Sequence, residues 1–398
     1  MNKQRDLKWL FRTALPKILI FLISLPLVIL IRVLHPILWI RFIPISERIG
    51  HGVGDIDFYL LELIAGLQSP KGVDIFYPDR PWKCNRQVIK MWKRFIPVYD
   101  LVYWFIWANW GNPLLAPNFT KLYNSDRDIH GIGNDVPPLV SFTKKEEDRG
   151  AVLLRDMGIA PGTPIVCFHA RDNAFLKTLK PTGNWAYHDF RDADVDTYVP
   201  AIKELVARGY YAIRMGRVVN NAFSWKHPHV IDYATSPWRS DFADLYLVSR
   251  CHFYIGTSCG FDAVAIFFRK PQVVLNLLPI GNISSWSPNY LNVPKKLWLI
   301  KEKRFLKFRE IIQSEVGMYR DGAQYKEYGL EIVHNTPEEI LDAVIEREER
   351  MNGFWKTNDE YEELQRRFWS LYKPGEGHQI FKARIGSKFL FQNRDLLD

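Results

Sequence analysis

The sequence His252-Phe253-Tyr254-Ile255-Gly256-Thr257-Ser258-Cys259-Gly260 contains a short apolar run that ends in glycine and hydroxyl residues. Apolar runs of this length, bounded by turn residues, are typical of strands buried on both faces. The following residues, Phe261 to Phe268, are apolar enough for a helix that packs on a sheet. We therefore predict a strand, a tight turn and a helix, the unit from which parallel sheets are built.

The same alternation extends over residues 151–335. Further strands are predicted at Ile165–Phe168, Tyr210–Ile213, Val230–Tyr233 and Gln272–Leu278. Helices are predicted at Val195–Arg208, with Asp194 as its cap, and at Asp241–Ser249. Strands separated by helices favour a parallel α/β sheet with right-handed crossovers. After this domain, residues 336–398 are predicted to be charged helices that begin at the cap signature Asn335-Thr-Pro-Glu-Glu.

The net charge of +9 would suit a nucleic-acid partner, so its distribution along the chain matters. Residues 1–50 contain eight Lys and Arg against two Asp and Glu, and so hold about two-thirds of the excess. A nucleic-acid binder carries its basic stripe on the folded domain instead. The distribution favours an anionic membrane surface over nucleic acid as the partner.

The first 45 residues are predicted to attach the chain to a membrane. Ile18 to Ile31 contains no charged residue and approaches the ~20 residues that a spanning helix needs. Three interpretations stay open, namely a single span, a kinked hairpin or interfacial segment broken at Pro26, and a buried core helix. We prefer the second. No small-residue cleavage site follows Ile31, which argues against a signal peptide.

Residues 46–150 form a first domain with a second candidate membrane contact. It opens with a glycine-rich stretch that contains His51 and Asp55, followed by an apolar helix from Phe58 to Leu67. Between residues 82 and 99 five cations interleave with apolar residues at helical spacing, and aromatic residues follow up to Trp110. This pattern suits a membrane interface, although an ordinary helix on an aromatic core would produce it too.

Polar residues follow three predicted strands at their carboxyl ends, where open parallel sheets bind ligands. Glycines let the backbone approach an anion, hydroxyl groups and a helix N-terminus stabilise it, and arginines can hold a diphosphate bidentately. A single arginine at a strand end is often only ion-paired, but three such ends together predict a phosphate-containing ligand. The predicted contacts are Arg171, Asp172, Arg214, Gly216, Gly256, Thr257, Ser258 and Gly260. The P-loop pattern of NTPases does not occur in the sequence.

Several stretches carry a family resemblance that spans nearly everything after residue 47. They are Arg48-Ile-Gly-His, Phe168-His-Ala-Arg-Asp, Asp194-Val-Asp-Thr-Tyr-Val-Pro-Ala-Ile, Gly209-Tyr-Tyr-Ala-Ile-Arg-Met-Gly, Arg239-Ser-Asp-Phe-Ala-Asp-Leu-Tyr-Leu, Phe253-Tyr-Ile-Gly-Thr-Ser-Cys-Gly-Phe-Asp-Ala-Val and Ala383-Arg-Ile-Gly-Ser-Lys-Phe-Leu. Together they resemble a bacterial family of glycosyltransferases linked to surface-polysaccharide synthesis. More distantly, His169-Ala-Arg171-Asp172 and Ile255-Gly-Thr-Ser resemble the donor motifs of GDP-fucose-using transferases, with Asp172 in place of a second arginine.

The resemblance implies an α/β fold of the GT-B type, with two Rossmann-like domains after the membrane-associated N-terminal segment. Residues 46–150 would form the acceptor-side domain and residues 151–335 the nucleotide-sugar domain. The implied protein is a metal-independent glycosyltransferase without a cofactor that moves a sugar from a nucleotide-sugar to a glycan or lipid-linked acceptor. Because nucleotide-sugars are made in the cytosol, its catalytic part is expected on the cytoplasmic face of the inner membrane.

The predicted roles follow the chemistry of glycosyl transfer. Arg171, Arg214, Thr257 and Ser258 would stabilise the departing diphosphate. Arg239, Ser240 and Asp241 are candidates for ribose or base recognition. The base near the acceptor would be His51, Asp55 or Asp57, with His169 as the next candidate.

Metal binding and redox chemistry find little support in the sequence. The pairs Asp55/Asp57, Asp192/Asp194 and Asp194/Asp196 mimic a metal motif of the other large transferase fold, but the latter two are predicted to cap helices. Four cysteines at positions 84, 167, 251 and 259 lack Cys-x-x-Cys spacing, so neither a zinc site nor a disulfide framework is indicated. Two other functions stay open: a nucleotide-sugar epimerase of the same fold, and a catalytically silent membrane-bound partner of a polysaccharide complex.

Overall fold

The computed structural model describes residues 9–69, 72–79, 85–119, 127–179, 185–375 and 377–398. Lys83, Cys84 and the cations of the first eight residues, which the sequence analysis used, lie outside these ranges. The chain forms two compact units of a mixed α/β fold with a parallel sheet. Unit 1 is Met1–Asp126 with Leu139–Ser141, and unit 2 is Arg127–Pro138 with Phe142–Asp398. The predicted division at residues 45, 150 and 335 stays a prediction about domains.

Unit 1 is mainly helical. Its helices are Leu15–Leu34, Ile49–Ile64, Arg86–Phe95 and Asp100–Ala108, and its strands are β1 (Ile40–Ile45) and β2 (Val73–Pro78). The two strands pair in parallel, from Ile40 with Val73 to Ile45 with Pro78. The predicted Rossmann-like sheet is therefore wrong for the described part of unit 1. Most of the other apolar segments form helices instead, among them Arg86–Phe95, in which the buried Val88, Met91 and Trp92 repeat at helical spacing.

The N-terminal apolar segment is one helix, and the predicted break at Pro26 is wrong. Leu15–Leu34 continues through Pro26, where one backbone hydrogen bond to Leu22 is lost without ending the helix. Val28 and Ile31 are buried in an apolar cluster with Phe42, Tyr77, Ile106 and Leu115. Packing of this stripe compensates for the lost bond. Among the described residues, Phe11–Leu34 is long and apolar enough to cross a bilayer.

The glycine-rich start of the first domain is also helical. The helix begins at Ile49, nine residues before the predicted Phe58. A Cβ on Gly52 would lie 2.7 Å from the Ser46 carbonyl oxygen, so glycine allows the chain to pass close to the helix here. The predicted amphipathic helix after residue 82 is confirmed as Arg86–Phe95.

The described part of unit 2 contains ten strands. They are β3 (Ile165–Phe168), β4 (Tyr211–Arg214), β5 (Val230–Ile231), β6 (Phe253–Gly256), β7 (Gln272–Leu277), β8 (Tyr290–Pro294), β9 (Lys296–Leu299), β10 (Arg304–Phe305), β11 (Leu330–Val333) and β12 (Arg384–Ile385). Seven form a parallel sheet in the order β12-β8-β7-β6-β3-β4-β5, and β10-β9-β11 form a small antiparallel sheet. The predicted strands at Ile165–Phe168, Tyr210–Ile213 and Gln272–Leu278 and the strand of the opening motif are confirmed as β3, β4, β7 and β6. Val230–Tyr233 is confirmed only at its start, as β5, and β8 to β11 were not predicted.

The strand order has one reversal. From β3 the chain adds β4 and β5 on one side, then returns to place β6, β7 and β8 on the other. This is the doubly wound arrangement, and the reversal between β3 and β6 is its topological switch point. A crevice at the carboxyl ends of these two strands is where such sheets bind ligands.

Several helices of unit 2 begin at recognisable side-chain caps. They are Lys144–Asp156, Ala174–Leu179, Val199–Ala207, Asp241–Arg250, Asp262–Phe267, Phe308–Ile312, Gly322–Glu327, Pro337–Asn352, Asp359–Trp369 and Ser387–Gln392. Thr336 and Glu339 form a capping box at the start of Pro337–Asn352, which confirms the predicted start at this signature. Ser240 caps Asp241–Arg250 through a bond from the Ala243 amide. These caps fix where each helix leaves the sheet edge.

Candidate functional site

The carboxyl ends of β3 and β6 are joined at the switch point. The Arg171 amide donates a hydrogen bond to Thr257 Oγ1 (2.9 Å), and the His169 amide donates to the Ile255 carbonyl oxygen (2.8 Å). On the other side of β3, the Met215 amide after β4 donates to the Phe168 carbonyl oxygen (2.7 Å). The predicted residues after these three strands therefore share one edge of the sheet.

Part of the turn after β6 is filled by a protein carboxylate. Asp262 Oδ2 accepts a hydrogen bond from the Cys259 amide (3.0 Å), and Asp262 Oδ1 accepts one from the Cys259 thiol (3.4 Å). A Cβ on Gly256 would lie 2.3 Å from Asp262 Oδ1, so glycine is needed for this approach. Burial raises the pKa of Asp262 to about 6. Because the following helix has only six residues, anion recognition here depends on side chains more than on a helix dipole.

Arg171 is buried at the switch point, and only one of its two terminal guanidinium nitrogens is hydrogen bonded. Its Nη1 donates to the His188 carbonyl oxygen (3.1 Å) and forms an ion pair with Asp192. Its Nη2 is buried and has no hydrogen-bond partner among the described residues. Buried donors in native proteins are almost always satisfied, so an unmet one requires an explanation. An anion at the crevice would supply the missing acceptor.

A buried lysine holds the segment that covers Arg171. Lys295, directly after β8, donates from Nζ to the carbonyl oxygens of Phe190 (2.8 Å) and Asp192 (2.7 Å). Burial, followed by the charge of Arg171, lowers the pKa of Lys295 to about 7. The segment from residue 186 to residue 192 is thus fastened to two strand ends of the sheet edge.

Arg214 lies deeper than the sequence predicts for a ligand contact. Its side chain is 2% exposed, and Nη1 donates to the Asn221 carbonyl oxygen (2.7 Å) and pairs with Asp232 (3.4 Å). Asp232 follows β5 and also accepts a bond from the Phe223 amide (2.9 Å). These contacts show that Arg214 holds the loop between β4 and β5. Its Nε is buried and has no hydrogen-bond partner among the described residues, and its contact with a diphosphate stays a prediction.

Asp172 and Gly216 shape the loops around the crevice. The two carboxylate oxygens of Asp172 accept the amides of Ala174 (3.0 Å) and Asn220 (2.9 Å). Gly216 has φ +152°, and a Cβ there would lie 3.0 Å from Val219. Asp172 therefore orders the loops after β3 and β4 against each other.

The predicted trio at residues 239–241 begins a helix next to this edge. The Ser240 amide donates to the Tyr233 hydroxyl (3.0 Å), which donates to Asp244 Oδ1 (2.7 Å). Ser240 is therefore a helix cap, and its described hydrogen bonds are all made within unit 2, with Tyr233, Ala243 and Asp244. Arg239 is half-buried, and its Nη1 has no hydrogen-bond partner among the described residues. Of this trio, Arg239 retains a donor for a ligand.

His169 is a neutral imidazole between two guanidinium groups. Burial, followed by the charges of Arg214 and Arg171, lowers its pKa to about 3. Its Nδ1 lies 3.6 Å from Cys259 Sγ. Burial also raises the pKa of the Cys259 thiol, so neither group is charged at neutral pH. The pair can hydrogen bond a ligand but cannot supply a positive charge to it.

Unit 1 holds the remaining predicted residues in a His–Asp pair. His51 and Asp55 are one helical turn apart, with 3.1 Å between His51 Nδ1 and Asp55 Oδ1. The His51 side chain is 46% exposed, and the Asp55 side chain is 15% exposed. Asp57 is fully buried, so the pair is the better candidate for a base. A carboxylate on one ring nitrogen orients an imidazole and makes the other nitrogen more basic.

Sequence reasoning missed three groups of the sheet edge: Asp192, Asp262 and Lys295. Asp192 was predicted to cap a helix, and this is wrong because it pairs with Arg171. The cap prediction is confirmed for Asp194, which accepts the Asp196 amide (3.0 Å). Lys295 had a weak signal, since it is the first charged residue after the apolar strand β8.

Within the described ranges, His, Cys, Asp and Glu side chains do not form a group of three or more that could hold a metal ion. Two cysteines predicted to be core residues, Cys167 and Cys251, are buried.

Comparison with known proteins gives no family. No family model matches the chain, and no curated protein matches it. Solved structures similar to it include Escherichia coli ADP-heptose lipopolysaccharide heptosyltransferase II, with 12% identity, a TM-score of 0.36 and coverage of 59% of this chain and 84% of that one. A family 9 glycosyl transferase from Veillonella parvula has 11% identity, a TM-score of 0.37 and coverage of 59% and 80%. At these identities and scores the similarity assigns neither a family nor an activity.

Proposed function

We propose that the crevice at the switch point binds the diphosphate of a nucleotide-sugar and that the chain is a GT-B-like glycosyltransferase. The observation that carries this is the unmet Arg171 Nη2 at the edge where β3 and β6 meet. A guanidinium with one free nitrogen can donate to a phosphoryl oxygen while its other nitrogen stays anchored by Asp192. The Thr257 hydroxyl, which fixes the Arg171 backbone, and Ser258 beside it complete the donor set.

The proposed reaction moves a sugar to an acceptor hydroxyl. The bond between the anomeric carbon and the diphosphate oxygen breaks, and its electron pair leaves with the nucleoside diphosphate. The acceptor oxygen forms the new bond to the anomeric carbon and gives its proton to a base. Negative charge grows on the leaving diphosphate, so donors held in a buried crevice stabilise this transition state more than the ground state.

His51 is the proposed base, oriented by Asp55. A neutral imidazole with one nitrogen bound to a carboxylate can accept a proton near neutral pH. His169 is the weaker candidate, because its lowered pKa disfavours the protonated form that a base must adopt. With these roles the enzyme is metal-independent and needs no cofactor.

The acceptor is proposed to be a glycan or a lipid-linked sugar at the cytoplasmic face of the membrane. The apolar helix Phe11–Leu34 supports attachment to a membrane, and cytosolic synthesis of nucleotide-sugars supports this orientation. A role in surface-polysaccharide synthesis follows only from the sequence resemblance and belongs to the proposal. The nucleotide and the sugar of the donor are left to the experiment below.

A thermal-shift panel with GDP, UDP, ADP, CMP and their sugars tests the binding step on the full-length protein. A ligand at about 100 times its Kd stabilises the native state by about 2.7 kcal/mol, which is a readily measured shift. Ser258→Ala is expected to reduce the shift. Ser249→Ala, at the far end of the helix Asp241–Arg250, is the matched control and should leave the nucleotide-induced shift unchanged.

Three results would decide among the functions. If no nucleotide raises the melting temperature, the proposal fails and the silent-partner alternative gains support. If a bound donor is isomerised without an acceptor, the protein is an epimerase. Transfer of a labelled sugar to a membrane extract, lost in His51→Asn, is the result expected for a transferase.

A further inference from the structure

The N-terminal helix of unit 1 has two distinct faces. One stripe points toward the rest of the unit and consists of Lys17, Phe21, Ser24, Val28 and Ile31. These residues repeat every three or four positions, which is one face of a helix. The opposite face is apolar, and its large side chains are between 49% and 71% exposed. The helix is therefore docked on one side and bare on the other.

Polar contacts fix the docked stripe along the length of the helix. The Lys17 ammonium lies 5.8 Å from the ring centroid of Trp107. Further along, the Asn109 side-chain amide donates to Ser24 Oγ (2.8 Å). Val28 and Ile31 then join the apolar cluster of the unit. From Lys17 to Ile31 the contacts extend over about 21 Å of helix, so this helix is an integral part of the unit.

The partners of this stripe are unsuited to the bilayer interior. Asn109 contacts the middle of the helix, and the helix Asp100–Ala108, which packs against it, begins with a half-exposed aspartate that pairs with Lys93. If Leu15–Leu34 crossed the bilayer, these docked residues would enter hydrocarbon with it, where charged and polar groups are costly even when they are paired. The bare face alone can enter lipid without this cost.

The surroundings of the bare face favour anionic lipid over other occupants. Arg12 and Arg32 are exposed at opposite ends of the apolar stretch. Beside it, Trp104 is 43% exposed and packs on Trp107, while Trp110 is 72% exposed. Basic residues bind anionic headgroups and tryptophan rings prefer the headgroup level of a membrane. An apolar stripe bordered in this way is typical of interfacial helices.

We propose that unit 1 is a monotopic membrane anchor, in which the bare face of Leu15–Leu34 and the tryptophans beside it lie in one leaflet and both ends of the helix stay on one side. The occupant is a phospholipid surface with anionic headgroups. The inference deepens the membrane association in the proposed function, on which it rests for its biological purpose. It requires no step of nucleotide chemistry.

Vesicle flotation of the full-length protein tests the surface. Phosphatidylcholine vesicles with added phosphatidylglycerol should float the protein, and phosphatidylcholine alone should float it severalfold less. Ile23→Asp, on the bare face, should lower vesicle binding about tenfold because a charge is placed in the apolar layer. Phe354→Asp is the matched control, since Phe354 in unit 2 is 72% exposed against 71% for Ile23, and it should float like the wild type.

The variants Phe11→Cys and Ile37→Cys, each made separately, test the topology. Both side chains are well exposed, and they flank the helix. A membrane-impermeant maleimide should label both in inverted inner-membrane vesicles and neither in spheroplasts, relative to the wild-type chain. Labelling on opposite sides would show a span and overturn the proposal.

Two further results would also overturn it: failure of the wild type to float, and a second copy covering the bare face in a soluble dimer. The nucleotide thermal shift of Ile23→Asp separates this inference from the proposed function. Normal flotation without any nucleotide shift refutes only the transferase proposal, whereas a normal shift without flotation refutes only the anchor.

Discussion

Replacing Asp192 with asparagine is expected to destabilise unit 2 and yet to strengthen nucleotide binding. In the native structure the carboxylate of Asp192 pairs with Nη1 of Arg171 and neutralises part of the positive charge that the proposed diphosphate would meet at Nη2. The asparagine side chain keeps the size and one acceptor but removes the charge. The guanidinium then loses a native partner and becomes more available to a phosphoryl oxygen.

The magnitudes follow from burial. Breaking a fully buried ion pair costs about 3–5 kcal/mol. The Arg171 side chain is 8% exposed but that of Asp192 is 25% exposed, so solvent screens part of the loss, and about 2 kcal/mol is expected. A hydrogen bond to a charged group is worth about 1.5–3 kcal/mol, so removing the neutralising carboxylate should strengthen the bond from Nη2 and tighten nucleotide binding by about tenfold.

Thermal denaturation with and without the nucleotide found in the panel measures both effects. A loss of about 2 kcal/mol lowers the melting temperature by about 4–8 °C in a domain of this size. Arg171→Gln should also destabilise the unit but should weaken nucleotide binding at least tenfold. Glu362→Gln, which breaks the half-buried pair with Arg384 elsewhere in unit 2, is the control that changes stability without changing affinity.

Asp192→Asn and Arg171→Gln should therefore both lower stability, but the first should raise nucleotide affinity and the second should lower it. A purely structural Arg171 would give falling or unchanged affinity in both. If Asp192→Asn binds nucleotide more weakly than the wild type, or if Arg171→Gln binds it equally well, the reasoning about this guanidinium is refuted.

Three further predictions address the rest of the site. Gly256→Ala would place a Cβ 2.3 Å from the Asp262 carboxylate. The free energy of unfolding, measured by urea denaturation, should fall by about 1–3 kcal/mol, and the thermal shift with nucleotide should become smaller. An unchanged urea midpoint would contradict the packing described. The pKa of Lys295 is about 7 in the folded protein, against a usual value of 10.5. Between about pH 7 and 10 the unfolded state therefore binds more protons than the folded state, and the free energy of unfolding should rise with pH over this range. Lys295→Met should flatten this rise. Asp55→Asn and His51→Asn should each lower kcat roughly tenfold or more with little change in the KM for the donor. If donor binding fell by as much as kcat, the pair would have a structural role instead.

The sequence was sufficient to place β3, β4, β6, β7 and the start of β5, but not the strands of unit 1 or β8 to β12. Buried strands such as β3 and β6 are short apolar runs followed at once by polar residues, and this contrast is visible without any tertiary information. The caps at Asp194 and Thr336 could be predicted because their side-chain bonds are made within three residues. Local chemistry of this kind is encoded in local sequence.

The partners of the predicted residues could not be read in the same way. Asp192 reaches Arg171 from 21 residues away, and Lys295 reaches the Asp192 carbonyl from 103 residues away. Such contacts depend on strand order and on the path of the covering segment, neither of which leaves a periodic signal. The helix through Pro26 was missed for a related reason, because packing of Val28 and Ile31 on a distant cluster outweighs the local cost of proline.

Strand order also explains why two arginines with the same sequence context differ. Arg171 and Arg214 each follow an apolar strand of the same sheet, and each pairs with an aspartate from elsewhere. Arg214 ends β4, whose neighbours are β3 and the short β5, so the loop after it closes over the side chain and meets Asp232. Arg171 follows β3 at the reversal of the strand order, which is the position at which doubly wound sheets bind their ligands. A polar residue at a strand end is therefore a strong ligand candidate only next to the reversal, and that position is known only when the order of the strands is known.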